Sequence, residues 1–179
     1  GLLAAQPDIA QDQIDLFRIE NFDRLMEIVD RGYDFISGVA EHVLIVEDEP
    51  LTAFDNENML GDAGYEIVAT VDDFEEAVRV LDSEKVDLIL SDVRLRTQQT
   101  GIHLAKLAKE RGIPTLFATG HPYPGAEEIA VGCLLKPYSE RQLKGAIECV
   151  DRHLQREKVK VPKGLQLFPH ADEAGKQGQ

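Results

Sequence analysis

Cysteine is scarce: Cys133 and Cys149 are the two thiols in 179 residues, and they form neither a disulfide framework nor a CxxC metal pattern. A reducing compartment suits such a chain, and both thiols are expected to be plain buried groups. No apolar run approaches the roughly 20 residues that span a bilayer, and Gly1-Leu2-Leu3-Ala4-Ala5 is too short and uncharged for a secretory signal. A soluble, cytoplasmic protein is the expectation. His42, His103, His121, His153 and His170 lack metal-ligand spacing, which argues against zinc. Positive charge is in deficit as well: 19 Lys and Arg against 33 Asp and Glu leave a net charge of −14. Phosphate-backbone binding needs clustered Lys and Arg, so no nucleic-acid partner is expected. The basic run Arg152, Arg156, Lys158, Lys160 and Lys163 reads as a solvated tail.

What remains is an ordinary folded composition, 43% hydrophobic and 29% charged, in a length that holds about one domain and a small addition. The chain opens on Gly1 and not on Met, as a processed or excised product does. Residues 1–41 carry Ile14, Phe17, Phe22, Leu25, Ile28, Val29 and Phe35 at roughly helical spacing, with Asn21 and Asp23 as caps and Ser37-Gly38 as a stop. They read as a helical extension whose apolar stripe needs a partner, either the rest of this domain, a second copy in a homodimer, or another protein.

From His42 the period changes. His42-Val43-Leu44-Ile45-Val46 is a short β-branched run that stops at Glu47-Asp48-Glu49-Pro50, and Pro50 suits a first helical turn. Strands follow at 65–70, 86–92, 114–118 and 132–135, with helices from 50 to a stop at Gly61 or Gly64, and at 73–81, 101–111, 126–130 and 139–154. Five buried strands alternating with five helices predict a parallel α/β sheet covered on both faces. Residues 42–154 form this domain, and 155–179 read as a loose tail in which Leu165, Leu167 and Phe168 dock at an undetermined place.

The chemistry sits where the strands end. Glu47 and Asp48 close the first strand, Asp92 the third, Thr119 the fourth, and Lys136 the fifth. In an open α/β sheet, ligands bind outside these carboxyl ends where the strand order reverses. With the order 2-1-3-4-5, Asp48 and Asp92 face each other there, with Glu47 beside them. Three carboxylates in one crevice call for a shared proton or a cation, and oxygen-only ligands suit Mg²⁺. That ion commonly bridges carboxylates to a phosphate. Lys136 can then neutralise a phosphoryl oxygen, the Thr119 hydroxyl can donate to another, and Gly120 leaves room. Asp92 is placed to act as a carboxylate nucleophile forming an acyl phosphate. Taken singly, Glu47 and Asp48 read as helix caps, Asp92 as a loop acid, and Thr119-Gly120 and Lys136-Pro137 as turns; their joint placement favours a phosphorylation site.

The order acidic pair, Asp, Thr, Lys-Pro on a β/α chain resembles the receiver domain of two-component response regulators, over roughly residues 42–154. The resemblance implies a flavodoxin-like (βα)₅ doubly wound fold. It implies Glu47, Asp48, Asp92 and the backbone carbonyl of Val93 as metal ligands, Asp92 as phosphoacceptor, Thr119 as the signalling hydroxyl, and Lys136 before a cis proline. A histidine kinase or phosphotransfer protein would be the phosphoryl donor, and the chain a phosphoacceptor and not an enzyme, apart from self-catalysed phosphorylation and dephosphorylation. Pro114-Thr115-Leu116-Phe117-Ala118-Thr119-Gly120, with Tyr123, resembles the signature of FAT GUY receivers, often stand-alone regulators of alphaproteobacteria served by kinases of the HWE or related type in stress or light signalling. Output is then expected through protein contacts on the face built from 126–130, 132–135 and 139–154, or by draining phosphoryl groups from a kinase.

The family pattern is broken in places. Three residues before the lysine, where the family usually has an aromatic switch, stands Cys133. The loop from Asp92 to Gly101 lacks its usual proline and is one residue longer. Arg94 and His121 occupy the positions that in the family tune acyl-phosphate lifetime. Three rival readings follow: a phosphorylation-independent pseudo-receiver, favoured by Cys133; a haloacid-dehalogenase type enzyme, which expects DxD where Glu47-Asp48-Glu49-Pro50 stands; and the C-terminal receiver of a larger hybrid kinase.

Overall fold

A computed structural model describes residues 40–96, 100–121 and 123–169. The helices expected before Ala40 lie outside the described residues. Along the chain run β1 (His42–Val46), α1 (Pro50–Asp62), β2 (Glu66–Val71), α2 (Phe74–Ser83), β3 (Leu88–Ser91), α3 (Gly101–Glu110), β4 (Thr115–Thr119), a 3₁₀ turn (Ala126–Glu128), β5 (Gly132–Leu135), α4 (Glu140–Leu154) and β6 (Leu165–Leu167). They form one sheet in the order β2-β1-β3-β4-β5-β6. The first five strands are parallel, in the predicted order, and β6 runs antiparallel to β5.

The apolar runs are continuous because successive side chains enter opposite layers. Val43, Ile45, Leu88 and Leu90 point into a core with Leu60 of α1 and Leu143, Ile147 and Val150 of α4. Leu44, Val46 and Ile89 point the other way, onto Ala77 and Leu81 of α2 and Leu104 and Ala108 of α3. A third cluster, Val93, Ala105, Phe117, Ala126, Cys133 and Phe168, lies toward the β5 side. Local signals agree with this layout. Asp73 caps α2 by accepting from the Glu76 amide at 2.7 Å, and Ser139 and Gln142 form a capping box on α4.

Two expectations need correction. The helix expected at 126–130 is a single 3₁₀ turn, entered through Gly125 at φ 89. The segment read as a loose tail supplies β6: Leu165 and Phe168 are buried, and Leu167, Gln166 and Leu165 pair with Gly132, Cys133 and Leu134. The β5 edge expected in an output face is therefore covered by the chain's own residues. Gly132 makes this possible, because a Cβ there would stand 2.7 Å from the Gln166 carbonyl oxygen.

Asp151 of α4 is 6% exposed and accepts the Ala40 amide at 3.2 Å. Burial pushes its carboxyl up to about 6 from an ordinary 3.8, the Ala40 amide opposes this, and Asp87 and Glu148 add repulsion. A raised folded-state value means that the folded chain holds the proton more tightly. The carboxylate therefore costs stability above pH 6, and the cost fades as pH falls from 6 toward 4. Asp151→Asn keeps an acceptor for Ala40 and is expected to stabilise the chain at pH 8 by about 1–3 kcal/mol, at about 1.4 kcal/mol per pKa unit. Urea denaturation at pH 8 and pH 4.5 checks this: the gain should shrink at the lower pH, and a loss at pH 8 would contradict it.

Candidate functional site

Parallel strands bring their carboxyl ends to one rim, and backbone hydrogen bonds carry the loop residues beyond them. The Glu47 amide donates to the Val71 carbonyl at 3.0 Å, the Asp92 amide to Val46 at 2.9 Å, and the Lys136 amide to Thr119 at 2.9 Å. Glu47, Asp92 and Lys136 are thus each tied to the end of a neighbouring strand. β1 and β3 are adjacent here, and the chain leaves them toward opposite sides, which makes this the switch point of the sheet.

The Lys136 amine lies between two carboxylates, 2.5 Å from Glu47 Oε2 and 2.9 Å from Asp92 Oδ2. Glu47 is 4% exposed. Burial raises its carboxyl above the ordinary range, Lys136 opposes this by hydrogen bond and charge, Asp92 raises it further, and the Glu49 amide, 3.3 Å away, lowers it a little. For Lys136 burial works toward a lower value, but the bonds and charges of Glu47 and Asp92 outweigh it and the ammonium is held above its usual range. The lysine is a fixed cation between the acids.

Around this triad, Asp92 Oδ1 accepts the Arg94 amide at 3.1 Å, and Asp48 Oδ2 stands 3.4 Å from Arg96 Nε. Thr119 is buried and its hydroxyl oxygen accepts the His121 amide at 3.4 Å. The side chains of Arg94 and His121 meet in solvent, Nη2 to Nδ1 3.4 Å. Val93 directs its side chain into the third cluster. The Lys136-Pro137 peptide is cis. Glu47 and Asp48 do not cap α1, whose N-cap is Glu49 without a side-chain cap bond.

Glu47, Asp92 and Lys136 are in direct contact, and Asp48 is held on the same rim by a different cation. The predicted acids do not draw their oxygens into a single nest. Among the described residues, the group that can offer one carboxylate oxygen each, all within 4.8 Å of one another, is Asp72, Asp73 and Glu76. That group has a structural cause, since Asp73 is the α2 cap and Glu76 lies in the first turn. At the rim, Lys136 bridges Glu47 and Asp92, while Asp48 turns to Arg96. The donor set still fits a divalent cation: two carboxylates share one lysine and a third on the same rim pairs with an exposed arginine, one of the three is nearly sealed from water, and every available donor is oxygen.

Two participants were absent from the sequence reading. Gly101 abuts the Asp92 backbone so closely that a Cβ would come within 1.9 Å of the Asp92 carbonyl oxygen and 2.7 Å of Ser91 Oγ. Its signal was a glycine opening a helix with no turn to explain it. Arg96, the partner of Asp48, carried no signal, since an exposed arginine in a loop has no pattern.

Residues 43–148 match the response regulator receiver domain family. The transcriptional regulatory protein PdtaR of Mycobacterium tuberculosis is 36% identical over 121 residues, 64% of this chain and 58% of that protein. The phyllosphere-induced regulator PhyR of Methylorubrum extorquens is 27% identical over 124 residues, 68% of this chain and 46% of its own length. This chain therefore spans about half of each. Among solved structures, the signal receiver domain of a modulated diguanylate cyclase from Desulfovibrio desulfuricans G20 superposes with a TM-score of 0.59 at 30% identity, covering 65% of this chain and 98% of that one.

Lys136→Met leaves Glu47 and Asp92 without their shared cation, and removing one partner of a largely buried ion pair costs roughly 3 kcal/mol. The variant should melt lower at pH 8. It should recover part of the loss as pH falls and Glu47, raised further without the lysine, takes up a proton on folding. Melting curves across pH 8 to pH 5 check this, and an unchanged melting temperature at pH 8 would contradict it.

Proposed function

The chain belongs to the response regulator receiver family, a family of two-component signalling, and from that premise we propose that Asp92 accepts a phosphoryl group from a histidine kinase or a phosphotransfer protein. The observation that carries this reading is the Lys136 amine bridging Glu47 and Asp92 beside the Thr119 strand end. A carboxylate oxygen of Asp92 attacks the phosphorus of a phosphohistidine, its O–P bond forms, the donor's N–P bond breaks, and the departing imidazole nitrogen takes a proton. Lys136 places positive charge at a phosphoryl oxygen, and the Thr119 hydroxyl donates to another. Glu47, Asp48, Asp92 and the Val93 carbonyl would hold Mg²⁺, which offsets the carboxylate charge and attracts a phosphoryl oxygen.

Resemblance of Pro114–Gly120 and Tyr123 to the FAT GUY signature supports the narrower assignment and a stand-alone regulator. Output runs through protein contacts, or the chain acts as a phosphate sink. Residues 1–41 serve as the extension for a partner or a homodimer contact, followed by the receiver at 42–154 and the segment 155–179. A cytoplasmic place goes with a histidine-kinase donor, and among the described residues no helix is long and apolar enough to cross a membrane.

Incubation with acetyl phosphate and Mg²⁺ should add the mass of one phosphoryl group to the wild type and none to Asp92→Ala, and chelation of the metal should prevent it. Undiminished labelling of the variant would move the acceptor elsewhere. Direct titration supplies a readout independent of phosphorylation: Asp48→Asn should weaken Mg²⁺ binding by about tenfold or more, as loss of a metal-site partner commonly does. Equal affinity would remove Asp48 from the site.

A further inference from the structure

β6 is built into this chain, and its position bears on the rim. Gly132 has no room for a Cβ because the Gln166 carbonyl oxygen would lie 2.7 Å from it. The Leu135 amide donates to the Gly164 carbonyl at 2.9 Å, and the Phe168 amide to Val131 at 3.0 Å. Gln142 Nε2 donates to the Lys163 carbonyl at 3.2 Å, and the His153 ring nitrogen Nε2 is 2.8 Å from the Phe168 carbonyl oxygen. The anchor is Phe168, 6% exposed, packed with Val93, Phe117, Ala126 and Cys133. Three of these neighbours are close in the chain to a site residue: Val93 follows Asp92, Phe117 lies two before Thr119, and Cys133 lies three before Lys136.

We propose that Pro162–Phe168 is a strap on the β5 edge, and that phosphorylation of Asp92 loosens it. The inference rests on Asp92 being the phosphoacceptor. A phosphoryl group draws the Lys136 amine away from Glu47, and Lys136 is one residue beyond Leu135, whose amide holds Gly164. Thr119 and Val93 shift with the new oxygens, and close-packed neighbours transmit the movement to the pocket that holds Phe168. The strap is the part able to respond, because it is a three-residue strand paired along a single edge and reached through largely exposed chain. Once loosened, it uncovers the β5 edge and the apolar cluster under it. Coupling of this kind is reciprocal, so a strap that docks poorly should favour the phosphorylated form by the same factor.

The test is residue-resolved amide exchange on the full chain, with acetyl phosphate and Mg²⁺ or without, and intact mass on the same samples. In the labelling step an Asp92 oxygen bonds to phosphorus as the bond to the acetate oxygen breaks, and acetate leaves with the electron pair. An adduct in which the Leu135 and Phe168 amides exchange at least about fivefold faster supports the strap. An adduct with unchanged exchange at those amides overturns the strap and leaves the phosphoacceptor reading standing, whereas absence of any adduct overturns both. A second arm uses Gly132→Ala, which crowds Gln166 and leaves the rim residues untouched. Equilibrium binding of beryllofluoride, a phosphoryl mimic, in the presence of Mg²⁺ that is at least about fivefold tighter than in the wild type supports the coupling, and equal affinity contradicts it.

Discussion

Everything at the rim depends on one half-buried lysine amine set between two carboxylates. Lys136 gives Glu47 a reason to be charged where water is excluded, and it holds Asp92 from the side opposite the Arg94 amide. The balance is incomplete, since Asp48 adds a third acid and takes its counter-charge from Arg96 in solvent. Such a site is poised to exchange partners, because an entering cation and a phosphoryl group can each replace an interaction that is already strained by burial. The opposing directions at Glu47 follow from this arrangement: burial raises its carboxyl, and the lysine restrains the rise.

Sheet order makes that meeting possible. Forty-four residues separate Asp92 from Lys136 and eighty-nine separate Glu47 from Lys136, yet parallel pairing delivers all three to the same edge of the sheet. The apolar strand interiors fix register by sending alternate residues into the two helical layers. Gly101 then lets α3 begin directly against the Asp92 backbone.

Much of the architecture was legible in the primary structure, and the reasons are local. The run Val43–Val46 ends abruptly in acids, Leu88–Leu90 ends before Asp92, and β-branched runs of that length between helical periods leave few alternatives to a parallel strand. Thr119 and Lys136 could be placed at strand ends by the same logic. Elements that depend on tertiary contact were hidden. Leu165-Gln166-Leu167 is too short to carry a periodic signal, and its strand exists because Gly132 admits a close neighbour and Phe168 finds a pocket. The stretch after Gly125 has helical composition but closes a single 3₁₀ turn. The compact group Asp72, Asp73 and Glu76 was unremarked because its residues serve a helix cap, and the Asp48–Arg96 pairing depends on how a loop folds back.

Two acidic groups therefore compete as the seat of a divalent cation: the lysine-bridged rim, and the geometrically tighter Asp72, Asp73 and Glu76 turn. Electrostatics favours the rim, where a nearly sealed carboxylate lacks full compensation, over a largely exposed turn that water already solvates. Anomalous diffraction from crystals grown with Mn²⁺ in place of Mg²⁺ separates them in one experiment. The expected result is a single strong peak among Glu47, Asp48 and Asp92. A peak at Asp72, Asp73 and Glu76 with none at the rim would contradict the central claim that the lysine-bridged acids form a metal-assisted phosphoryl site.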